Sequence, residues 1–214
     1  MLVAAIVVAA GRGVRFGGPK QFSSLGDTSV AARSVNATRS VAEFVVLVVP
    51  EGYRGAGEGA DVVVIGGESR AASVRAGLAT LPACEVVVVH DAARPLASKA
   101  LFDAVVAAIR SGAEGAIPGL QVTDTVKRAV RREGRTVVVE TLDRSELVTV
   151  QTPQAFRRDV LERAHAANVE ATDDAALVEA VGGTVVIVTG EMNNFKITEP
   201  ADLARMVAAL EGDE

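Results

Sequence analysis

Short runs of Val, Ile, Leu and Ala recur along the 214-residue chain. Between them lie longer stretches in which apolar residues return every three or four positions. The short runs fall at residues 2–9, 44–49, 62–65, 85–89, 115–117 and 184–188. They are nearly continuous in apolar residues, without alternation, as strands buried on both faces of a parallel sheet read. The longer stretches predict helices at 29–40, 69–81, 98–111, 157–168, 173–180 and 201–210. Ser98 and Thr172 stand where N-caps belong, the latter before Asp173 and Asp174, and Pro200 suits a helix start. Strand–helix alternation predicts an α/β fold with right-handed crossovers: a doubly wound, mostly parallel, Rossmann-like sheet.

One stretch breaks the alternation. Residues 122–128 and 136–141 are β-prone and flank Arg131-Arg132-Glu133-Gly134-Arg135, which predicts a charged hairpin projecting at about 122–141. An isolated hairpin is marginal in water, so this arm is expected to pack on something, plausibly a second subunit. Lys127, Arg128, Arg131, Arg132 and Arg135 are read as its solvated face. A single domain over residues 1–214 accounts for the rest, and 49% hydrophobic residues suffice for one core.

Charge and cysteine usage narrow the classes. A net charge of −5 argues against a nucleic-acid partner, while local cations still allow a phosphorylated small molecule. The single cysteine, Cys84, excludes an internal disulfide or Cys-rich metal site and fits a cytoplasmic setting. The apolar start lacks a basic n-region and is not read as a signal peptide. No run approaches the ~20 apolar residues of a membrane span. The sequence closes at Glu211-Gly212-Asp213-Glu214 soon after its last expected helix, so no fused second enzyme is expected.

The first strand leads into Ala9-Ala10-Gly11-Arg12-Gly13-Val14-Arg15-Phe16-Gly17-Gly18-Pro19-Lys20. Ligands of open α/β sheets sit beyond such carboxyl ends. Small residues permit close backbone approach, N–H groups can cradle phosphate oxygens, and Arg12, Arg15 and Lys20 add positive charge. Two familiar glycine motifs fail. A dinucleotide fingerprint needs glycine where Phe16 stands and an acidic residue about 20 positions on. A P-loop would need no Pro19 before Lys20, and Ser or Thr in place of Gln21. A plain tight turn is the alternative.

Ala9-Ala10-Gly11-x-Gly13-x-Arg15 with Pro19-Lys20-Gln21-Phe22 resembles the signature loop of GT-A-type nucleotidyltransferases. Further motifs follow in order: Gly66-Gly67-x-x-Arg70-x-x-Ser73-Val74, Val89-His90-Asp91-Ala92-Ala93-Arg94-Pro95, Asp124-Thr125-x-Lys127-Arg128, Asp143-Arg144, Gln151-Thr152-Pro153-Gln154 and Asn194-Phe195-Lys196-Ile197-Thr198. Across nearly the whole chain the set resembles the 2-C-methyl-D-erythritol 4-phosphate cytidylyltransferase family of the non-mevalonate isoprenoid pathway. Val8, where the family often has proline, and a slightly short first loop depart from its pattern.

The resemblance implies transfer of CMP from CTP to a polyol phosphate, with release of pyrophosphate. It implies Arg15, Lys20 and Lys196 as catalytic cations; the first two suit the charge gathered on a reacting α-phosphate. Ala9, Ala10, Gly11, Gly13, Gly67, Glu68, Ser73, Asp91 and Ala92 would bind nucleotide, with Ala10, Gly11, Gly67, Glu68 and Ser73 around the cytosine. Asp91 would hold Mg²⁺. Asp91, Arg94, Thr125, Arg144, Thr152 and Lys196 would bind the acceptor. Thr125 and Arg144 flank the arm and would reach the neighbouring subunit's site in a homodimer. An ordinary strand–turn–helix at Gly66–Ser73 and a structural Asp91–Arg94 pair are the bland alternatives. His90 is read as structural, His165 as a surface residue, and Cys84 as non-catalytic. Other classes are a ribitol-5-phosphate cytidylyltransferase, a nicotinamide-dependent oxidoreductase and a non-catalytic nucleotide-binding module.

Overall fold

The computed structural model describes residues 1–167, 169 and 171–211. Its first half runs β1 (Val3–Val8), a 3₁₀ turn at Lys20–Phe22, β2 (Ser24–Leu25), β3 (Thr28–Ser29), α1 (Val30–Thr38), β4 (Phe44–Val49), β5 (Val62–Ile65), α2 (Arg70–Leu78), β6 (Val86–Asp91) and α3 (Lys99–Arg110). The second half runs β7 (Gly115–Gln121), β8 (Lys127–Arg132), β9 (Arg135–Thr141), β10 (Val148–Val150), β11 (Gln154–Arg157), α4 (Arg158–Ala166), α5 (Asp174–Ala180), β12 (Val185–Thr189) and α6 (Pro200–Glu211).

The apolar runs form strands because both faces of the sheet are covered. Val3, Ala5 and Val7 of β1 pack on one side, with α1 and α3. Ala4 and Ile6 pack on the other, with α2, α4 and α5. Both alternating sets are apolar, so no period of two is visible in the sequence. Each fully buried Val or Leu stabilises the fold by about 1.5–3 kcal/mol. Serine side chains end the loops before three helices: Ser29, Ser69 and Ser98 each accept from a backbone N–H three residues on, at 3.0–3.1 Å. The cap of α5 is Asp173 rather than Thr172; its carboxylate accepts from Ala176 N–H at 3.0 Å. The expected end of the 157–168 helix, at Asn168, lies outside the described residues, as do residues 212–214 of the tail.

The main sheet is mixed, though mostly parallel. β1 lies in its interior, parallel to β4 on one side and to β6 on the other. The chain goes out from β1 through β4 to β5, then returns to β6, creating a switch point at the carboxyl end of β1. Val8 stands in register with Asp91 across that point. β11, which the hydrophobic pattern did not signal, inserts antiparallel between β6 and β7. It is four residues long and runs directly into α4, and its last residue, Arg157, falls inside the helix expected at 157–168. β10 pairs with the far end of β7, and β12 closes the opposite edge of β7.

The arm exists, but its first strand is Lys127–Arg132 rather than 122–128. The turn needs the left-handed backbone of Glu133 (φ 49°) and Gly134 (φ 77°). A two-residue loop of this kind draws Arg131, Arg132 and Arg135 into the strands instead of leaving them in a loop. Every residue of β8 and β9 is exposed. Among the described residues, no helix is long and apolar enough to cross a membrane.

Candidate active site

A cleft of about 470 Å³ opens at the switch point, a size suited to a small-molecule ligand. Its walls come from three places: the loop after β1, the β5–α2 turn, and the end of β6 with the segment before α6. The first loop is held by Gln21, whose buried amide donates to the carbonyls of Ala9 (2.6 Å) and Gly11 (2.9 Å). Its outer part curls around the Gly13 carbonyl, which accepts from Phe16, Gly17 and Gly18 at 2.9–3.2 Å. Those three N–H groups are thereby spent within the loop. Gly13 has φ 62°, and a Cβ there would lie 1.8 Å from the Gly18 carbonyl oxygen, so only glycine fits. Phe16 joins a small apolar cluster with Ile197 and Met206, tying the loop to the last helix.

Across the cleft, Gly66 lets the β5–α2 turn approach the loop: a Cβ there would stand 2.5 Å from Ala10 Cβ and 2.7 Å from Ser73 Oγ. Ser73 is buried, and its hydroxyl donates to the Ser69 carbonyl at 3.0 Å. Its remaining lone pairs can accept.

Several cations line the cleft: Arg12, Arg15, Lys20, Arg70 and Lys196. Burial lowers the Lys20 pKa, and nearby Lys196 and Arg15 lower it further. Like charges packed this way favour an anionic ligand, which relieves their repulsion. On the floor, Asp91 closes β6. Its Oδ2 accepts from Lys196 Nζ at 2.5 Å and its Oδ1 from Arg70 Nε at 3.4 Å. Burial opposes ionisation of Asp91, but Arg70, Lys196 and Arg94 outweigh it and hold the carboxyl below the usual range.

Behind the floor runs a chain of hydrogen bonds. Asp91 N–H donates to Thr152 Oγ1 at 3.0 Å. The Arg94 carbonyl can only accept, so neutral His90 donates to it from Nε2–H (3.1 Å) and takes the Thr152 hydroxyl proton on Nδ1 (3.2 Å). Burial pushes the His90 pKa down to about 4, which keeps the imidazole neutral as this chain requires. His90 packs on Phe102 and is fully buried, a structural histidine.

Of the residues singled out in the sequence, Ala9, Ala10, Gly11, Gly13, Arg15, Lys20, Gly67, Glu68, Ser73, Asp91, Ala92 and Lys196 all line one cleft. Arg94, Thr125, Arg144 and Thr152 do not. Thr152 is 5% exposed, beneath Asp91. Arg94 is half-buried and donates to the Asn194 carbonyl at 2.6 Å. Thr125 and Arg144 are exposed at the base of the arm, where Arg144 donates to the Thr123 carbonyl. Sequence reasoning gave no role to Gln21 or Arg70, although both stand inside quoted motifs. His165 is not a surface residue: it is 4% exposed, and its Nε2 lies 2.9 Å from Asp174 Oδ1. It sits on the inner stripe of α4, beside Leu161 and Ala164.

A family model for 2-C-methyl-D-erythritol 4-phosphate cytidylyltransferase matches residues 3–212. The chain belongs to that family. It is 49% identical to a bifunctional enzyme IspD/IspF of Anaeromyxobacter sp. (strain Fw109-5), over 98% of this chain and 57% of the relative. A second bifunctional relative, from Clavibacter michiganensis, is covered over 52% of its length, so the chain spans about half of such proteins. It is 43% identical to the 2-C-methyl-D-erythritol 4-phosphate cytidylyltransferase of Streptomyces avermitilis, over 97% of this chain and 91% of that one. The crystal structure of the Thermus thermophilus cytidylyltransferase superposes with a TM-score of 0.82, at 34% identity and over 96% and 98% of the two chains. The mixed sheet with a separate β8–β9 hairpin is thus the family's architecture.

Proposed function

We propose that this family member transfers CMP from CTP to 2-C-methyl-D-erythritol 4-phosphate, giving the diphosphocytidyl product and pyrophosphate. The observation that carries the reading is a cleft lined by five cations, Arg12, Arg15, Lys20, Arg70 and Lys196, with the carboxylate of Asp91 held ionised among them. The names of the relatives support the choice of acceptor.

A phosphate oxygen of the acceptor attacks the α-phosphorus of CTP. A new P–O bond forms, the bond from the α-phosphorus to the bridging oxygen breaks, and its electron pair leaves with pyrophosphate. Such transfer needs positioning and charge stabilisation more than proton chemistry. Arg15 offers a fork of donors and Lys20 a point charge to the non-bridging oxygens. Ala10, Gly11, Gly67 and Glu68 enclose the base. Ser73, its proton committed to Ser69, can accept from the exocyclic amine of cytosine, whereas uracil presents a carbonyl there. Ala9, Gly13 and Ala92 give the backbone close access to the nucleotide. Lys196, bonded to Asp91 and near enough to Lys20 to lower its pKa, suits the acceptor's phosphate as it meets the α-phosphorus.

Mg²⁺ fits the donor set only as a nucleotide-borne ion. Among the described residues no three acidic, His or Cys groups cluster to hold a metal. One carboxylate plus triphosphate oxygens is the usual Mg²⁺ arrangement. Asp91 would hold it, and the bound ion would neutralise triphosphate charge.

In this reading Arg94, Thr125 and Arg144 complete the acceptor pocket, Thr125 and Arg144 from the base of a second copy's arm, while Thr152, 5% exposed and bonded to the Asp91 N–H, acts on the acceptor from beneath, through Asp91. The wholly exposed β8–β9 hairpin, with Val137 40%, Val138 57% and Val139 44% exposed, supports such a homodimer. The free thiol of Cys84 suits a cytoplasmic enzyme.

The test is pyrophosphate release with CTP and Mg²⁺, using 2-C-methyl-D-erythritol 4-phosphate or ribitol 5-phosphate as acceptor. Release only with the first supports the reading. Preference for ribitol 5-phosphate overturns the acceptor, and release with neither overturns the activity.

A further inference from the structure

Asp91 receives one cation on each oxygen, and the two cations are held in different ways. Lys196, on Oδ2, keeps 43% of its side chain exposed. Arg70, on Oδ1, is 24% exposed and is gripped from behind. Its Nη1 lies 2.6 Å from Asp174 Oδ2, and the Asp174 side chain is 1% exposed. The other oxygen of Asp174 lies 2.9 Å from Nε2 of buried His165.

The guanidinium is therefore divided between two carboxylates instead of forming a two-bond fork with either. Among the described residues its Nη2 is buried without a partner, and an unmet buried donor is costly. A side chain selected only to neutralise Asp91 would use the fork. Division makes sense when the guanidinium serves as a rigid spacer. Arg70 opens α2, Asp174 opens α5 and His165 lies on α4, so three helices on one face of the sheet converge on the carboxylate that ends β6.

We propose that Arg70 is a positioning residue that fixes the carboxylate of Asp91, and that Asp174 and His165 form the buttress that holds Arg70. Arg70 faces Oδ1 from a largely buried position at 3.4 Å, while the more exposed Lys196 can leave Oδ2 free to meet substrate. Lysine at position 70 would keep the charge but could not span both carboxylates. The inference deepens the transferase reading and rests on it for the role of Asp91.

A double-mutant cycle tests it, with Arg70→Met, Asp91→Asn and both together. It is read as kcat/KM in the pyrophosphate assay and as Kd for CTP with Mg²⁺ by calorimetry. The expected losses in kcat/KM are about 100-fold for Arg70→Met and about 1000-fold for Asp91→Asn. If Arg70 acts through Asp91, the double variant is no worse than Asp91→Asn, and Arg70→Lys loses about 10-fold. Multiplying losses, to about 10⁵-fold, would overturn the inference, since a merely structural Arg70 harms the enzyme whatever stands at position 91. Should Arg70→Met fail to fold, Asp174→Asn, which keeps shape and removes charge, takes its place in the same cycle. If wild type releases no pyrophosphate, the transferase reading fails instead, and the cycle in Kd still decides whether positions 70 and 91 are coupled.

Discussion

The cleft floor and the arm both carry many charges, and they hold them in opposite ways. At the floor, Asp91, Arg70 and Asp174 are largely shielded from water, and each has a named partner at 2.5–3.4 Å. On the arm, every residue of both strands is exposed, and the Arg128–Glu140 pair is 63% and 50% exposed at 3.2 Å. An exposed pair of that kind is worth little. The floor is thus shaped by the fold of one chain, whereas the arm has only its own ladder to shape it and depends on what it meets. Chemistry that needs fixed charge belongs at the first place, and the second suits the contact with a second subunit proposed above.

The contrast can be broken experimentally, starting with the largest effect. Deleting residues 130–136 should reduce transfer to background and leave monomers in sedimentation, while each monomer still binds CTP. A fully active monomer would show that the cleft needs no arm. Lys20→Ala should lower kcat by about 10³-fold with the dimer intact, the size expected from losing a preorganised charge; near-normal turnover of the folded variant would remove Lys20 from the chemistry. Ser73→Ala should raise the KM for CTP about tenfold and narrow the preference over UTP, measured with both nucleotides. Val138→Asp should weaken the dimer with little change at saturating protein, so that specific activity falls only on dilution.

Much of this contrast was legible in the sequence, for identifiable reasons. Residues 2–9, 44–49 and 85–89 read as buried strands because β1, β4 and β6 are covered on both faces. Asp91 and the first loop could be placed at strand ends, and the Val8–Asp91 register brings them together. β11 was missed because four residues of strand continue straight into α4 and carry no period of their own. The arm strand was set too early because neither of its faces is buried, so no pattern fixed its register. His165 looked like a surface residue because the deciding fact, its contact with Asp174, comes from a different helix. Arg70 stood in a quoted motif, but its division between Asp91 and Asp174 is a tertiary arrangement that spacing cannot show.

Nucleotide binding in the cleft is the claim on which the account stands, and calorimetric titration of CTP with Mg²⁺ into the folded protein tests it most directly. The account expects saturable binding near one site per chain, much weaker binding of ATP, and a large loss of affinity in Lys20→Ala. Well-folded protein that gives no heat with any nucleoside triphosphate would contradict it.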